Sequence, residues 1–137
     1  MNGLLEAGGK YSILVETSAL AAIALEEPDW QSLTRKILAA NCATSAFNVF
    51  ETVLALAKQT AATPGQAHAD VLELLTRLSV DVLSFTPEMI PHAVAARERY
   101  GRGRNGLNMG DCLSYAAARQ LGLELLYKGD DFAQTDV

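Results

Sequence analysis

Short apolar runs rich in strand formers alternate along this chain with long stretches of helical periodicity. That alternation restricts it to an α/β fold built on a parallel sheet. The strand-like runs lie near residues 11 to 15, 42 to 44, 80 to 83 and 124 to 127. Helical patterns fit residues 18 to 26, 29 to 40, 46 to 60, 64 to 78, 87 to 100 and 110 to 121, with Pro28, Pro64 and Pro87 placed as start signals. No linker, repeat or low-complexity tract interrupts them. At 137 residues, half of them apolar, residues 1 to 137 are expected to form a single domain around one core of ordinary size.

Several function classes drop out at this stage. No apolar segment approaches the length that spans a bilayer. The N-terminal stretch carries Glu6, lacks a basic start and has no adequate apolar core before Lys10, which points to a cytoplasmic protein. Gly8-Gly9-Lys10 precedes a strand and no Ser or Thr follows in a helix, so it is not a phosphate-binding loop. Cys42 and Cys112 lack metal-ligand spacing to another Cys or His and read as reduced core thiols. His68 and His92 stand alone in helical stretches, as surface or partly packed side chains.

What remains is a set of acids at particular positions. Asn108-Met109-Gly110-Asp111-Cys112 places a carboxylate at the first turn of an Ala-rich helix, where outward-pointing N–H groups favour negative charge. Capping alone accounts for an Asp there. Glu51 lies in a helical run whose apolar residues recur at Phe47, Phe50, Leu54 and Ala57, so its carboxylate is expected to point toward the protein. Glu16 directly follows Ile13-Leu14-Val15 and precedes Thr17-Ser18-Ala19-Leu20, a strand-to-helix junction of the kind where open parallel sheets bind ligands. Asp130 and Asp131 follow the run Leu125-Leu126-Tyr127 and hold a position of the same class, with turn formation as the plainer reading. Asp70, Glu73 and Arg77 face away from the Val71, Leu74, Leu75 and Leu78 stripe and read as an ordinary solvated face.

Acids gathered at strand ends and inward helix positions repel one another unless a cation intervenes. Mg²⁺, or Mn²⁺ in its place, is the natural counter-charge, because hard divalent ions prefer carboxylate and water oxygens and complete their shell with substrate phosphate. The reaction this implies is phosphodiester hydrolysis. A net charge of −5 argues against a broad basic nucleic-acid surface. A local patch exists, however: Arg97, Arg99, Arg102 and Arg104 supply four of the eleven basic residues. Arg102 and Arg104 are candidates for phosphate contacts, or for carboxylates of the cluster or of a protein partner. Thr17 and Ser18 either orient a water or touch phosphate, or cap the next helix. Residues 18 to 40, with Trp30, Leu33, Ile37 and Leu38, offer apolar surface for a partner segment, core packing being the equally simple reading.

The ordered set Ile13 to Leu20, Ser45-Ala46 with Glu51, Tyr100 to Arg104, Leu107 to Tyr115 and Lys128-Gly129-Asp130-Asp131-Phe132 with Thr135-Asp136 resembles a PIN-domain toxin of the VapC type over nearly the whole chain. The resemblance implies a three-layer α/β/α sandwich with a central, mostly parallel sheet. It also implies a Mg²⁺-dependent endoribonuclease, neutralised by a cognate VapB-type antitoxin and assembled as a homodimer. Carried over by motif, Glu16, Glu51 and Asp111 hold the metal, with Asp130 or Asp131 as the further acid. The family pattern has Asp where this chain has Glu16. The longer side chain carries the carboxylate one methylene farther and predicts a weakened rate. A catalytically silent PIN domain that binds antitoxin or RNA without cleavage is the alternative. A phosphoacceptor domain of the receiver type ranks far below both, since Ser84-Phe85-Thr86 supplies no acid after the third strand.

Overall fold

A computed structural model of the chain describes residues 9–103 and 106–137. Its elements run β1 (Ile13–Val15), α1 (Thr17–Ala24), α2 (Trp30–Leu38), β2 (Cys42–Ser45), α3 (Ala46–Gln59), α4 (Pro64–Leu78), β3 (Asp81–Leu83), a 3-10 turn (Pro87–Met89), α5 (Ile90–Tyr100), α6 (Met109–Leu121) and β4 (Glu124–Leu126). The strands stand in the order β3-β2-β1-β4 and all three pairings are parallel, with Ile13 opposite Cys42 on one side and opposite Glu124 on the other.

Alternation along the strands divides the core into two layers. Val15 on β1 packs with residues of α1 to α4, whereas its neighbour Leu14, pointing to the opposite face, packs with Leu125 of β4 and residues of α5 and α6. The three-layer α/β/α sandwich is the result, with helices on both faces of a parallel sheet. Phe132, beyond β4, closes the second layer against Tyr127 at a ring separation of 5.1 Å.

The helix boundaries follow local chemistry. Thr63 and Gln66 form a reciprocal capping box at the start of α4, with Pro64 in its first turn. Gly122 takes a left-handed conformation (φ 68°) and ends α6. The stretch read as one helix over residues 87 to 100 divides into the 3-10 turn and α5. Pro91, in the first turn of α5, cannot donate a backbone hydrogen bond.

One expectation is corrected in α3. The stripe Phe47, Phe50, Leu54 and Ala57 is not its core face: Phe50 is 60% exposed and Leu54 48% exposed. The buried face is Asn48, Val49, Thr52, Val53 and Leu56. Two polar residues replace apolar ones on that face, and each is fully hydrogen-bonded there. Leu33 and Ile37 of α2 are core residues, whereas Leu38 is 61% exposed. Among the described residues, no helix is long and apolar enough to cross a membrane.

Candidate active site

The chain crosses from β3 to β4 on the face of the sheet opposite to its first two crossovers, so the strand order reverses at β1. The carboxyl end of β1 is therefore a topological switch point, where ligands bind in open α/β sheets. Glu16 stands there. Its backbone N–H donates to the Leu126 carbonyl at 2.9 Å, which ties the end of β1 to the end of β4.

Glu16 is 5% exposed and serves as the N-cap of α1: its Oε1 accepts from the backbone N–H of Ser18 at 2.9 Å and from the Ser18 hydroxyl. Burial pushes its carboxyl up to about 7; the Ser18 hydrogen bonds oppose that rise, and the nearby charges of Asp111 and Glu51 add to it. Ser18 is held in turn, its Oγ accepting from the Lys128 backbone N–H at 2.8 Å. Lys128 sends its Nζ the other way, to Glu27 at 2.6 Å and to within 3.2 Å of Asp29.

Glu51 projects from the second turn of α3 and is half-buried. Its Oε1 accepts from the Thr17 hydroxyl at 2.7 Å. Its Oε2 fills the space beside Gly110, where an added Cβ would lie only 2.2 Å away. Burial raises its carboxyl above the ordinary range, the Thr17 bond lowers it and the charge of Asp111 raises it again. A glycine at position 110 is thus what lets α6 approach α3 with the carboxylate between them.

Asp111 completes a capping box on α6. Asn108 Oδ1 accepts from its backbone N–H at 2.8 Å, while its own Oδ2 accepts from the Asn108 N–H at 3.2 Å. The capping reading of this position is therefore realised. Burial raises the Asp111 carboxyl, the Asn108 N–H lowers it, and the charge of Asp131 raises it. Asp130 and Asp131 are exposed in the turn after β4, and the Asp130 carbonyl accepts from the Ala133 N–H at 3.1 Å.

Thr17 and Ser18, whose plain reading was helix capping, instead both bond to acids. Arg102 is exposed in the bend after α5. Arg97 is committed to the Leu107 carbonyl at 3.2 Å, and Arg104 lies outside the described residues. Both cysteines are buried and free, and His92 Nε2 bonds to Gln120 at 2.9 Å.

Beneath the acids lies a polar network that sequence reasoning missed. Asn48, fully buried, donates from Nδ2 to Thr17 Oγ1 at 3.0 Å and to Ser114 Oγ at 2.9 Å, and its Oδ1 accepts from Ser45 Oγ at 2.7 Å. Its signal in the sequence is spacing: Asn48 stands three residues before Glu51 on α3, and Ser114 three after Asp111 on α6.

Among the described residues, no three acidic, histidine or cysteine side chains converge on one point as they lie, and no salt bridge engages Glu16, Glu51 or Asp111. The chemistry of the donor set fits a hard divalent cation. All the donors are carboxylate oxygens, each of the three carboxyls is raised, and each feels the charge of another acid. Thiolate or imidazole donors, which would select softer metals, are not among the groups gathered here.

On the far side of α1 is a groove of ≈ 520 Å³. Ile23, Trp30, Leu56, Leu74 and Leu78 line it, and Asp70, Glu73 and Arg77 lie on its rim.

Residues 13–137 match the PIN domain family. The chain is 35% identical to Ribonuclease VapC30 of Mycobacterium tuberculosis over 128 residues, which covers 91% of this chain and 95% of that protein. It is 37% identical to a Ribonuclease VapC of Mycolicibacterium smegmatis, with 91% and 97% covered. Among solved structures it shares the fold of Mycobacterium tuberculosis VapC20, a Sarcin-Ricin loop cleaving toxin, with a TM-score of 0.68 at 23% identity over 89% of this chain and 93% of that one. It likewise matches a toxin-antitoxin complex from Klebsiella pneumoniae, with a TM-score of 0.65 at 20% identity over 90% and 92%. The chain belongs to the PIN-domain family, in its VapC ribonuclease branch.

Proposed function

We propose that this chain, residues 1 to 137 acting as one domain, is the endoribonuclease toxin of a toxin–antitoxin pair and cleaves RNA with Mg²⁺, or Mn²⁺ in its place. The observation that carries this reading is that Glu16, Glu51 and Asp111, from three separate segments, lie within electrostatic reach of one another near the switch point of the sheet. They are partly desolvated, the charges of Asp111 and Glu51 raise the Glu16 carboxyl and that of Asp111 raises Glu51, and no basic side chain is paired with them among the described residues. Those three acids would hold the metal. Asp131 is favoured over Asp130 as the further acid because its charge reaches Asp111. The bound ion would supply an activated water and stabilise the departing oxygen of the phosphodiester.

The protein's own groups have separate tasks. Thr17 holds the Glu51 carboxylate, Ser18 holds that of Glu16, and the capping box holds Asp111 at the start of α6. Arg102, and Arg104 by its place in the sequence alone, would meet substrate phosphates, and Thr17 and Ser18 would reach phosphate only by giving up their bonds to the acids. The groove beside Trp30 suits an apolar antitoxin segment with charged flanks, since Asp70, Glu73 and Arg77 rim it. Phe50 and Leu54 on the outer face of α3 give apolar surface for a homodimer. With RNA as substrate and an antitoxin as partner, the action would lie in the cytoplasm.

Glu16 weakens the site in this reading. Its Oε1 already accepts two hydrogen bonds from Ser18, so the extra methylene curls the carboxylate back onto its own helix. The same observation favours the second reading, a silent domain that binds antitoxin or RNA without cutting. Cleavage of RNA by the Glu16→Asp variant in Mn²⁺, abolished by adding Asp111→Asn, supports the nuclease. Failure of both the unmodified chain and Glu16→Asp to cut favours the silent domain.

A further inference from the structure

We infer that Asn48 is a positioning residue for the acid cluster, acting through the Thr17 hydroxyl on Glu51. The inference rests on the metal-site reading above and adds to it the group that orients the site from beneath.

The Thr17 hydroxyl has one hydrogen to give, and the ionised Glu51 carboxylate can only accept, so the 2.7 Å contact between them uses that hydrogen. Whatever else approaches Thr17 Oγ1 must therefore donate. Asn48 Nδ2 does so at 3.0 Å, and gives its second hydrogen to Ser114 Oγ at 2.9 Å. The amide oxygen is fixed on the opposite side. Ser45 Oγ accepts from the Asn48 backbone N–H at 3.0 Å, which leaves its own hydrogen for Asn48 Oδ1 at 2.7 Å. The side chain has one orientation that satisfies all its partners.

Asn48 thus points the Thr17 hydrogen at Glu51. It also joins the three segments that carry the acids: Thr17 adjoins Glu16, Glu51 is one turn along from Asn48 itself, and Ser114 is one turn along from Asp111. Asn48, Ser45 and Ser114 are all buried, so water does not compete for these bonds. Groups that orient metal ligands in this way typically change metal affinity about 10- to 100-fold when removed.

The test is Mn²⁺ affinity measured by calorimetry on the full chain, with folding of every variant checked by circular dichroism. Asn48→Ser removes both amide donors and keeps a small polar side chain; it should weaken Mn²⁺ binding by about 10-fold or more. Thr44→Val, which removes an equally buried hydroxyl bonded to the Val15 carbonyl, should leave affinity within about twofold. Because Asn48 acts through Thr17, Thr17→Val with Asn48→Ser should lose no more than the larger single loss. If Asn48→Ser does not fold, Asn48→Leu carries the same prediction, since it keeps the approximate shape, removes both amide donors and adds no charge.

Affinity retained by the Asn48 variant while Asp111→Asn abolishes binding would overturn the inference and leave the metal site standing. Losses that add in the double variant would overturn the route through Thr17. An unmodified chain that binds no Mn²⁺ would overturn both the inference and the reading beneath it.

Discussion

Glu51 occupies the space that a side chain at position 110 would need: a Cβ added to Gly110 would lie 2.2 Å from Oε2 and 3.1 Å from Cδ of the glutamate. The crowded atoms are the far end of a flexible side chain, so Gly110→Ala is met by moving the carboxylate rather than the backbone. Alanine also favours the helix over glycine by about 1 kcal/mol. Gly110→Ala is therefore expected to melt at or slightly above the temperature of the unmodified chain, while RNA cleavage falls on the order of 100-fold through misplacement of Glu51. Parallel melting curves and cleavage assays check this; a variant that cuts normally removes Glu51 from the site.

Acid burial sets the pH dependence of the metal-free protein. The Glu16 carboxyl rises from 4.5 to about 7 on folding. Between those values the folded chain keeps a proton that the unfolded chain has released, so stability falls as pH rises through that window and levels off above it. The rise of the Glu16 pKa corresponds to about 3 kcal/mol. Glu51 and Asp111 act in the same direction. Melting in a chelator should be higher at pH 5 than at pH 8. Glu16→Gln should remove most of that difference by raising the pH 8 value, and saturating Mn²⁺ should raise it in the unmodified chain. A flat profile in chelator would contradict the burial account.

Asn108 anchors α6 by accepting from the Asp111 N–H at 2.8 Å. Asn108→Ala should cost about 1 kcal/mol of stability, and Asn108→Ser much less, because Ser retains a capping oxygen. Urea unfolding of the two variants distinguishes them. Equal losses would show that the cap does not hold this helix.

Filling the groove beside Trp30 separates neutralisation from cleavage. Ala24 lies on its wall, on the first helix but away from the acids. Ala24→Trp should leave RNA cleavage intact and weaken antitoxin binding on the order of 10- to 100-fold. Undiminished binding would place the antitoxin elsewhere.

The strands and helices were legible because Ile13-Leu14-Val15 and Leu125-Leu126-Tyr127 are short apolar runs and because Pro64 marks a helix start by its chemistry. The face of α3 was not. Counting apolar residues selects Phe50 and Leu54, which are exposed, and passes over Asn48 and Thr52, which are buried but satisfied by hydrogen bonds. Periodicity reads hydrophobicity, whereas burial also admits polar groups whose partners come from distant segments. For the same reason Glu16 and Asp111 were legible as acids at helix starts, while the link from Asn48 to Thr17 and Ser114 depends on three segments meeting. The order of Asp130 and Asp131 depended on how the turn after β4 folds back toward Asp111, which spacing does not encode.

The central claim, that Glu16, Glu51 and Asp111 hold a metal that cuts RNA, is tested most directly by incubating a total RNA pool with the unmodified chain, Glu16→Asp and Asp111→Asn in Mg²⁺, Mn²⁺ or chelator. The account predicts metal-dependent cleavage that is slow in the unmodified chain, faster in Glu16→Asp and absent in Asp111→Asn and in chelator. Cleavage that persists in Asp111→Asn or in chelator would contradict the site, and no cleavage by either the unmodified chain or Glu16→Asp, with Mn²⁺ bound, would contradict the activity.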